Sequence, residues 1–351
     1  VDLVILAVAF VVILVGAELF TNGIEWFGRH LDLAEGAVGS VLAAVGTALP
    51  ETMIPVIAII FAGGSAATDI GVGAILGAPF MLSTLAMFVT GVAVLLVARR
   101  RLTTDVMSVD TAVLGVDVRY FAVGYSVAIG AALLPVEPAW PKWIVAIGLL
   151  VLYGHYVKRH FDENGDGGTE EDLEPLRMHR LDRDAHRQDP ARPRLRIVNV
   201  QVLVALGCII GGAVIFVGAV ERLASSIGVD ELLLALIIAP IATELPEKLN
   251  SIIWVRAGKH TLAMGNITGA MVFQATIPTV VGLLFASGAW SIGPGSYTAF
   301  ASAAIALLAT AAIFIPMARS GRLRGRGLLI GGVFYLAYLA FVLAIVLGVG
   351  S

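Results

Sequence analysis

Apolar residues fill most of the chain in long runs, broken by short polar connections. Runs long enough to cross a hydrocarbon core of about 30 Å fall at 2–20, 36–62, 70–97, 118–134, 142–157, 197–218, 231–254, 263–287, 298–317 and 327–349. The pattern predicts an all-α membrane protein of about ten transmembrane helices. The fourth and fifth runs are the shortest; Asp117 and Arg119 stand at the start of the fourth, and the Pro-rich turn 134–140 separates the two. Segment 104–117 reads as an interfacial helix. Residues 1–17 lack the basic start and small-residue cleavage site of a signal peptide and read as the first span. The start at Val1 without Met suggests that the numbering omits a few native residues.

Composition agrees: 58% of residues are hydrophobic, only 14% are charged, and the mean hydropathy is +0.91, so lipid is the solvent for most of the surface. A net charge of −3, spread over a few connections, argues against a nucleic-acid partner. The single cysteine, Cys208, excludes a disulfide or a Cys-based metal site within one chain.

Basic residues alternate from side to side. With Arg119 and Lys248 set aside as intramembrane, 19 of the 23 Lys and Arg residues fall in connections on one side and two, Lys142 and Arg222, on the other. The positive-inside rule then places the long loop 158–196 in the cytoplasm and both termini outside, in a multi-pass protein of the cell membrane. That loop is polar, with almost nothing apolar to bury, and reads as a linker. Its Asp162–Gly167 run matches the opening of a calcium-binding EF-hand loop, but Leu173 stands where the closing bidentate Glu is needed, so an acidic flexible loop is the better reading. The chain thus divides into a five-helix half at 1–157, the hydrophilic loop at 158–196, and a second five-helix half at 197–351.

One short pattern occurs twice: Gly46-Thr-Ala-Leu-Pro-Glu51 in the second span and Ala242-Thr-Glu-Leu-Pro-Glu247 in the seventh. Each copy is followed at the start of the next span by Gly-x-x-x-Gly, as Gly73–Gly77 and Gly265–Gly269. The copies lie five spans apart, and an odd offset reverses the direction of crossing, so the two halves are inverted repeats. A carboxylate near mid-span costs at least about 2.5 kcal/mol and normally faces the protein interior. Pro50 and Pro246 lack an amide hydrogen and free the carbonyls of Gly46 and Ala242. Those carbonyls, the hydroxyls of Thr47 and Thr243, and the carboxylates of Glu51 and Glu247 form an oxygen set suited to a hard cation. The glycines read more simply as close helix packing.

In these two regions, 36–90 and 231–286, the chain resembles the sodium/calcium exchanger family of the calcium/cation antiporter superfamily. The resemblance implies cation-binding roles for Thr47, Glu51, Thr243 and Glu247, with backbone oxygens of Gly46 and Ala242. It adds Asn266 and Glu244 at motif positions of the second repeat, and it implies sliding of the first and sixth spans across the other eight. Ala48, Ala74, Ala78 and Pro79 in the first repeat, and Ala270 and Met271 in the second, replace usual oxygen ligands. The site should therefore be lopsided toward the second half. Lys248 lies one turn after Glu244 and reads as its i, i+4 partner, with a tethered ammonium in place of one Na⁺ as the alternative. Glu18 and Glu221, near the span ends, and His30, His155, His160, His179, His186 and His260 read as interfacial or solvated.

The implied function is secondary-active antiport of a divalent cation, Ca²⁺, against Na⁺ by alternating access. The alternatives are proton coupling, or another divalent such as Mg²⁺. No hydrolase, zincin or nucleotide-binding motif appears, so an enzyme is not expected. Neither is a cofactor beyond the transported Ca²⁺ and Na⁺ or H⁺, and the expected partners are inorganic cations and the lipid bilayer.

Overall fold

The computed structural model describes residues 2–30, 48–62, 64–101, 104–163, 174–179, 193–227, 248, 251–252, 254–256, 258, 260–293 and 296–346. The helices are α1 (Asp2–His30), α2 (Leu49–Val56), α3 (Ser65–Met81), α4 (Met87–Arg101), α5 (Thr111–Gly130), α6 (Trp140–Glu163), α7 (Leu195–Ile227), α8 (His260–Phe285), α9 (Tyr297–Ser320), α10 (Gly325–Leu328) and α11 (Ile330–Val346). Wider π turns continue α2 over Ile57–Ala62 and join α3 to α4 over Leu82–Ala86, so that 67–101 is one uninterrupted span of 35 residues. Among the described residues, seven helical segments are long and apolar enough to cross a membrane. The shorter apolar segment Glu51–Ala62 joins them.

α1 and α7 form an antiparallel pair, which is the inversion expected of equivalent helices in inverted repeats. Contacts run from Asp2 with Arg222 at 3.1 Å, through Ala9 and Ile13 against Gly212 and Gly16 against Ile209, to Gly23 against Val202. A side chain at Gly212 would collide with Ile13 and the Ala9 carbonyl, so glycine here permits the close approach.

The remaining helices interlock across the halves. α8, from the second half, packs on α5 and α6 of the first, while α3 packs on α9 and its π turn on α11. One large apolar core results, with Phe80, Phe121, Tyr125, Met271, Trp290 and Phe314 among its members. At the π turn, a side chain on Gly331 of α11 would strike the Thr84 backbone. The bulge therefore depends on glycine opposite it.

Three basic connections meet at one end of the molecule. The short strands β1 (Val106–Met107) and β2 (Leu323–Arg324) pair antiparallel, Arg326 lies 3.3 Å from Asp105, and Arg101 donates to the Arg256 carbonyl at 2.8 Å. This departs from the interfacial helix expected over 104–117: helix α5 begins only at Thr111, capped by the Asp110 carboxylate, which accepts from the amides of Ala112 and Val113. An Asp cap satisfies donors that an earlier start would leave as ordinary helix.

The hydrophilic loop is also less idle than its composition implies. Residues 174–179 lie on α1 and α7, where Trp26 Nε1 donates to the Glu174 carbonyl at 3.0 Å, and Leu176 is buried beside Trp26 and Val198. Gln201 bridges Asn22 and the amide of Met178. The EF-hand-like run after Glu163 lies outside the described residues.

Candidate cation site

Glu51 sits in the first turn of α2 and is only 4% exposed. Pro50 is also in that turn, where a missing amide hydrogen is tolerated. Pro55, which the motif does not include, lies four residues after Glu51 and has no N–H to give its carbonyl. α2 packs against α3 and α8, the two helices that carry Gly-x-x-x-Gly. Lys248 is buried as well.

On α8, Asn266 is 8% exposed and Gln274 1%. Neither atom of either amide has a hydrogen-bond partner among the described residues. Pro278 stands four residues after Gln274, so the Gln274 backbone carbonyl lacks its helical donor too. Gln274 therefore offers a side-chain and a main-chain oxygen at one level of the helix. Sequence reasoning missed it; the signal available was an amide in the middle of an otherwise apolar run.

A third buried polar position, Thr268, is tied to the first half. Its hydroxyl lies 2.6 Å from Asp117 Oδ2. The other Asp117 oxygen accepts from Tyr156 Oη at 3.0 Å and meets His160 Nε2 at 2.8 Å. Asp117 and His160 are both buried, which corrects the solvated reading of His160. At that span end His160 packs on Tyr156 of its own helix and meets Asp117 of α5, and a buried carboxylate needs such donors.

The expected ligands Gly46, Thr47, Ala242, Thr243, Glu244 and Glu247 lie outside the described residues, as does the Glu244–Lys248 pair. Glu18 is exposed and pairs with Arg177 at 3.1 Å, a surface contact. At Gly265, an added methyl group would meet no atom of the described residues within 4 Å. Among the described residues, no three His, Cys, Asp or Glu side chains cluster as a metal site.

Long apolar helices that interlock across two repeats mark a multi-pass integral membrane protein. The chain belongs to the sodium/calcium exchanger protein family, whose model matches residues 1–159 and 198–347. It is 29% identical over 146 residues to a putative antiporter CaxA of Alkalimonas amylolytica, covering 41% of this chain and 44% of that one. The match thus spans less than half that relative's length. An uncharacterized membrane protein, MJ0091, of Methanocaldococcus jannaschii is 21% identical over 275 residues, 77% of each chain. Among solved structures, an H⁺/Ca²⁺ exchanger CAX superposes with a TM-score of 0.73 at 17% identity, covering 97% of this chain and 82% of its own. The sodium-calcium exchanger NCX_Mj gives 0.56 at 18% identity, covering 97% and 98%. These likenesses establish the fold: two repeats of membrane helices.

Proposed function

We propose that the protein exchanges Ca²⁺ for Na⁺ across the cell membrane by alternating access, with Glu51 and Glu247 as the charged ligands and Asn266 and Gln274 among the neutral ones. The observation that carries this reading is the burial of Glu51 on a helix packed against α8, where two amides are also buried. Burying an unsatisfied amide costs about 1–3 kcal/mol, a cost that is offset when the oxygen coordinates a cation. Carbonyls of Gly46 and Ala242, the hydroxyls of Thr47 and Thr243, and Glu244 complete the proposed set, with Lys248 nearby as a fixed positive charge. The α1–α7 pair is the element proposed to slide, with loop 158–196 on the cytoplasmic side and both termini outside. Proton coupling is the second reading, supported by the carboxylates themselves, since Glu51 and Glu247 can trade a proton for the metal.

The test is tracer Ca²⁺ uptake into proteoliposomes under an imposed Na⁺ or H⁺ gradient, for the parent, Glu51→Gln and Glu247→Gln. Gln keeps volume and one oxygen but removes the charge that a dehydrated divalent ion requires. Exchange should fall at least about 100-fold in each variant, equivalent to some 2.7 kcal/mol, while the protein stays inserted and folded. Parental uptake by either variant removes that residue from the site.

A further inference from the structure

We propose that Asp117 is a positioning residue for the cation site, acting through Thr268 to set the rotation of α8. The proposal rests on the reading of α8 as a ligand-bearing helix and adds what holds it in place. Asp117 is 1% exposed and receives donors from two other helices: Tyr156 and His160 of α6 on one oxygen, Thr268 of α8 on the other. An ionised carboxylate only accepts, so all three contacts suit the charged form.

The Thr268 hydroxyl has one proton and two acceptors within reach, Asp117 at 2.6 Å and the Met264 carbonyl of its own helix at 3.0 Å. The shorter, charge-assisted bond takes the proton. Thr268 is thereby drawn toward α5, while its oxygen stays within reach of the Met264 carbonyl, the acceptor of the back-bond that a buried helical threonine otherwise makes. Such back-bonds are what Thr276 and Thr310 make, to the carbonyls of Val272 and Ala306.

Rotation follows from helix geometry. Asn266 is two residues before Thr268, about 200° around the axis. Fixing Thr268 against α5 therefore turns Asn266 to the opposite face of α8. A purely structural bolt would be expected in both repeats, but the position of α3 equivalent to Thr268 is Leu76, whose side chain cannot make this bond. A pin through the side chain exists on α8, whereas at Leu76 of α3 the contact is to the backbone carbonyl, from the Tyr125 hydroxyl.

The experiment compares Thr268→Val, Thr268→Ser, Asp117→Asn and the double variant Asp117→Asn with Thr268→Val, in full-length protein reconstituted for tracer Ca²⁺ uptake. Thr268→Val should raise half-saturating Ca²⁺ about five- to tenfold with little change in maximal rate, and Thr268→Ser, which keeps the hydroxyl, should restore the parental value. The double variant should be no worse than the poorer single one, because both changes remove one interaction. Unchanged half-saturation in Thr268→Val, or fully additive effects in the double variant, overturns the proposal. If Asp117→Asn does not fold, the Val and Ser pair decides alone. Glu51→Gln in the same preparation separates the two ideas. If it exchanges normally, the site reading is at fault; if it is inactive and Thr268→Val is parental, the positioning role is.

Discussion

Helices α3 and α8 hold equivalent places in the two repeats, and their linings differ. Where α8 has Asn266, Thr268 and Gln274, α3 and the π turn that continues it have Ala74, Leu76 and Leu82. Both keep the glycines and a later proline, Pro79 and Pro278, so both retain the capacity for close approach and a broken ladder. What diverged is the supply of neutral oxygens. Among the described residues, α8 also has side-chain anchors along its length. Backbone amides of Ser108 and Asp110 bond His260 and Thr261 at its start, Asp117 holds Thr268, and Lys142 Nζ reaches the carbonyls of Ser287 and Trp290 just past its end at 2.7 and 2.8 Å. For α3, the comparable contact is the Tyr125 hydroxyl on the Leu76 carbonyl at 3.0 Å. The difference teaches that a duplicated scaffold can keep its fold symmetry while concentrating buried side-chain oxygens, and the bracing beside them, on one copy.

The largest test of this contrast replaces the buried amides by apolar residues of similar size. Asn266→Leu and Gln274→Leu should each raise half-saturating Ca²⁺ about tenfold or more in proteoliposome uptake. Removing an unsatisfied buried amide should leave the thermal midpoint unchanged or higher, since its desolvation cost of about 1–3 kcal/mol disappears. The mirror changes Ala74→Leu and Leu82→Met should leave Ca²⁺ affinity alone and act, if at all, on stability. Equal loss of affinity from both sets would mean that the two helices contribute alike.

Much of this contrast was visible in the sequence, because a repeated Thr-x-Leu-Pro-Glu and a repeated Gly-x-x-x-Gly are local patterns, and each departure from them is a single letter. The helical membrane class followed from hydropathy for the same reason. What escaped were partnerships between distant positions. Asp117 stood out only as a charge at the edge of a span, and His160 as a residue beyond one. Their partners lie 43 and 151 residues from Asp117, and no spacing rule connects them. Leu176 was lost within a loop whose average polarity hid one buried side chain. Gln274 was passed over because the motif ends before it and Pro278, which exposes its carbonyl, falls later still.

An intermediate effect is expected at the far end of α8. Lys142 is fully buried, and its ammonium donates to the Ser287 and Trp290 carbonyls in the turn that follows α8. Lys142→Met keeps the length of the stem and removes both charge-assisted bonds. Stability should fall by about 2 kcal/mol, the loss of those bonds being partly offset by the desolvation cost no longer incurred. A lower thermal midpoint with Ca²⁺ affinity within a factor of about two of the parent would show that this anchor braces the helix without shaping the site. A large affinity loss would move Lys142 into the same category as Thr268.

The smallest effect concerns the start of α8, where bracing depends on pH. His260 Nδ1 accepts the Ser108 amide at 3.0 Å, which requires a neutral ring with its proton on Nε2. Burial lowers the His260 pKa below its ordinary value near 6.5, and the positive charge of Arg101 adds to the shift. The unfolded chain therefore binds the proton more readily than the folded one, and stability rises with pH across the interval between the two pKa values. The contribution is complete above about pH 6.5 and declines as pH falls toward the lowered folded value. The ring is partly exposed, so the change should be small: a thermal midpoint that drops by a few degrees between about pH 7.5 and 5.5. His260→Asn supplies a non-titrating acceptor near Nδ1 and should flatten that dependence while leaving Ca²⁺ exchange at neutral pH unaltered. An identical pH slope in parent and variant would show that His260 does not titrate against the fold, leaving Thr261 as the anchor at this end of α8.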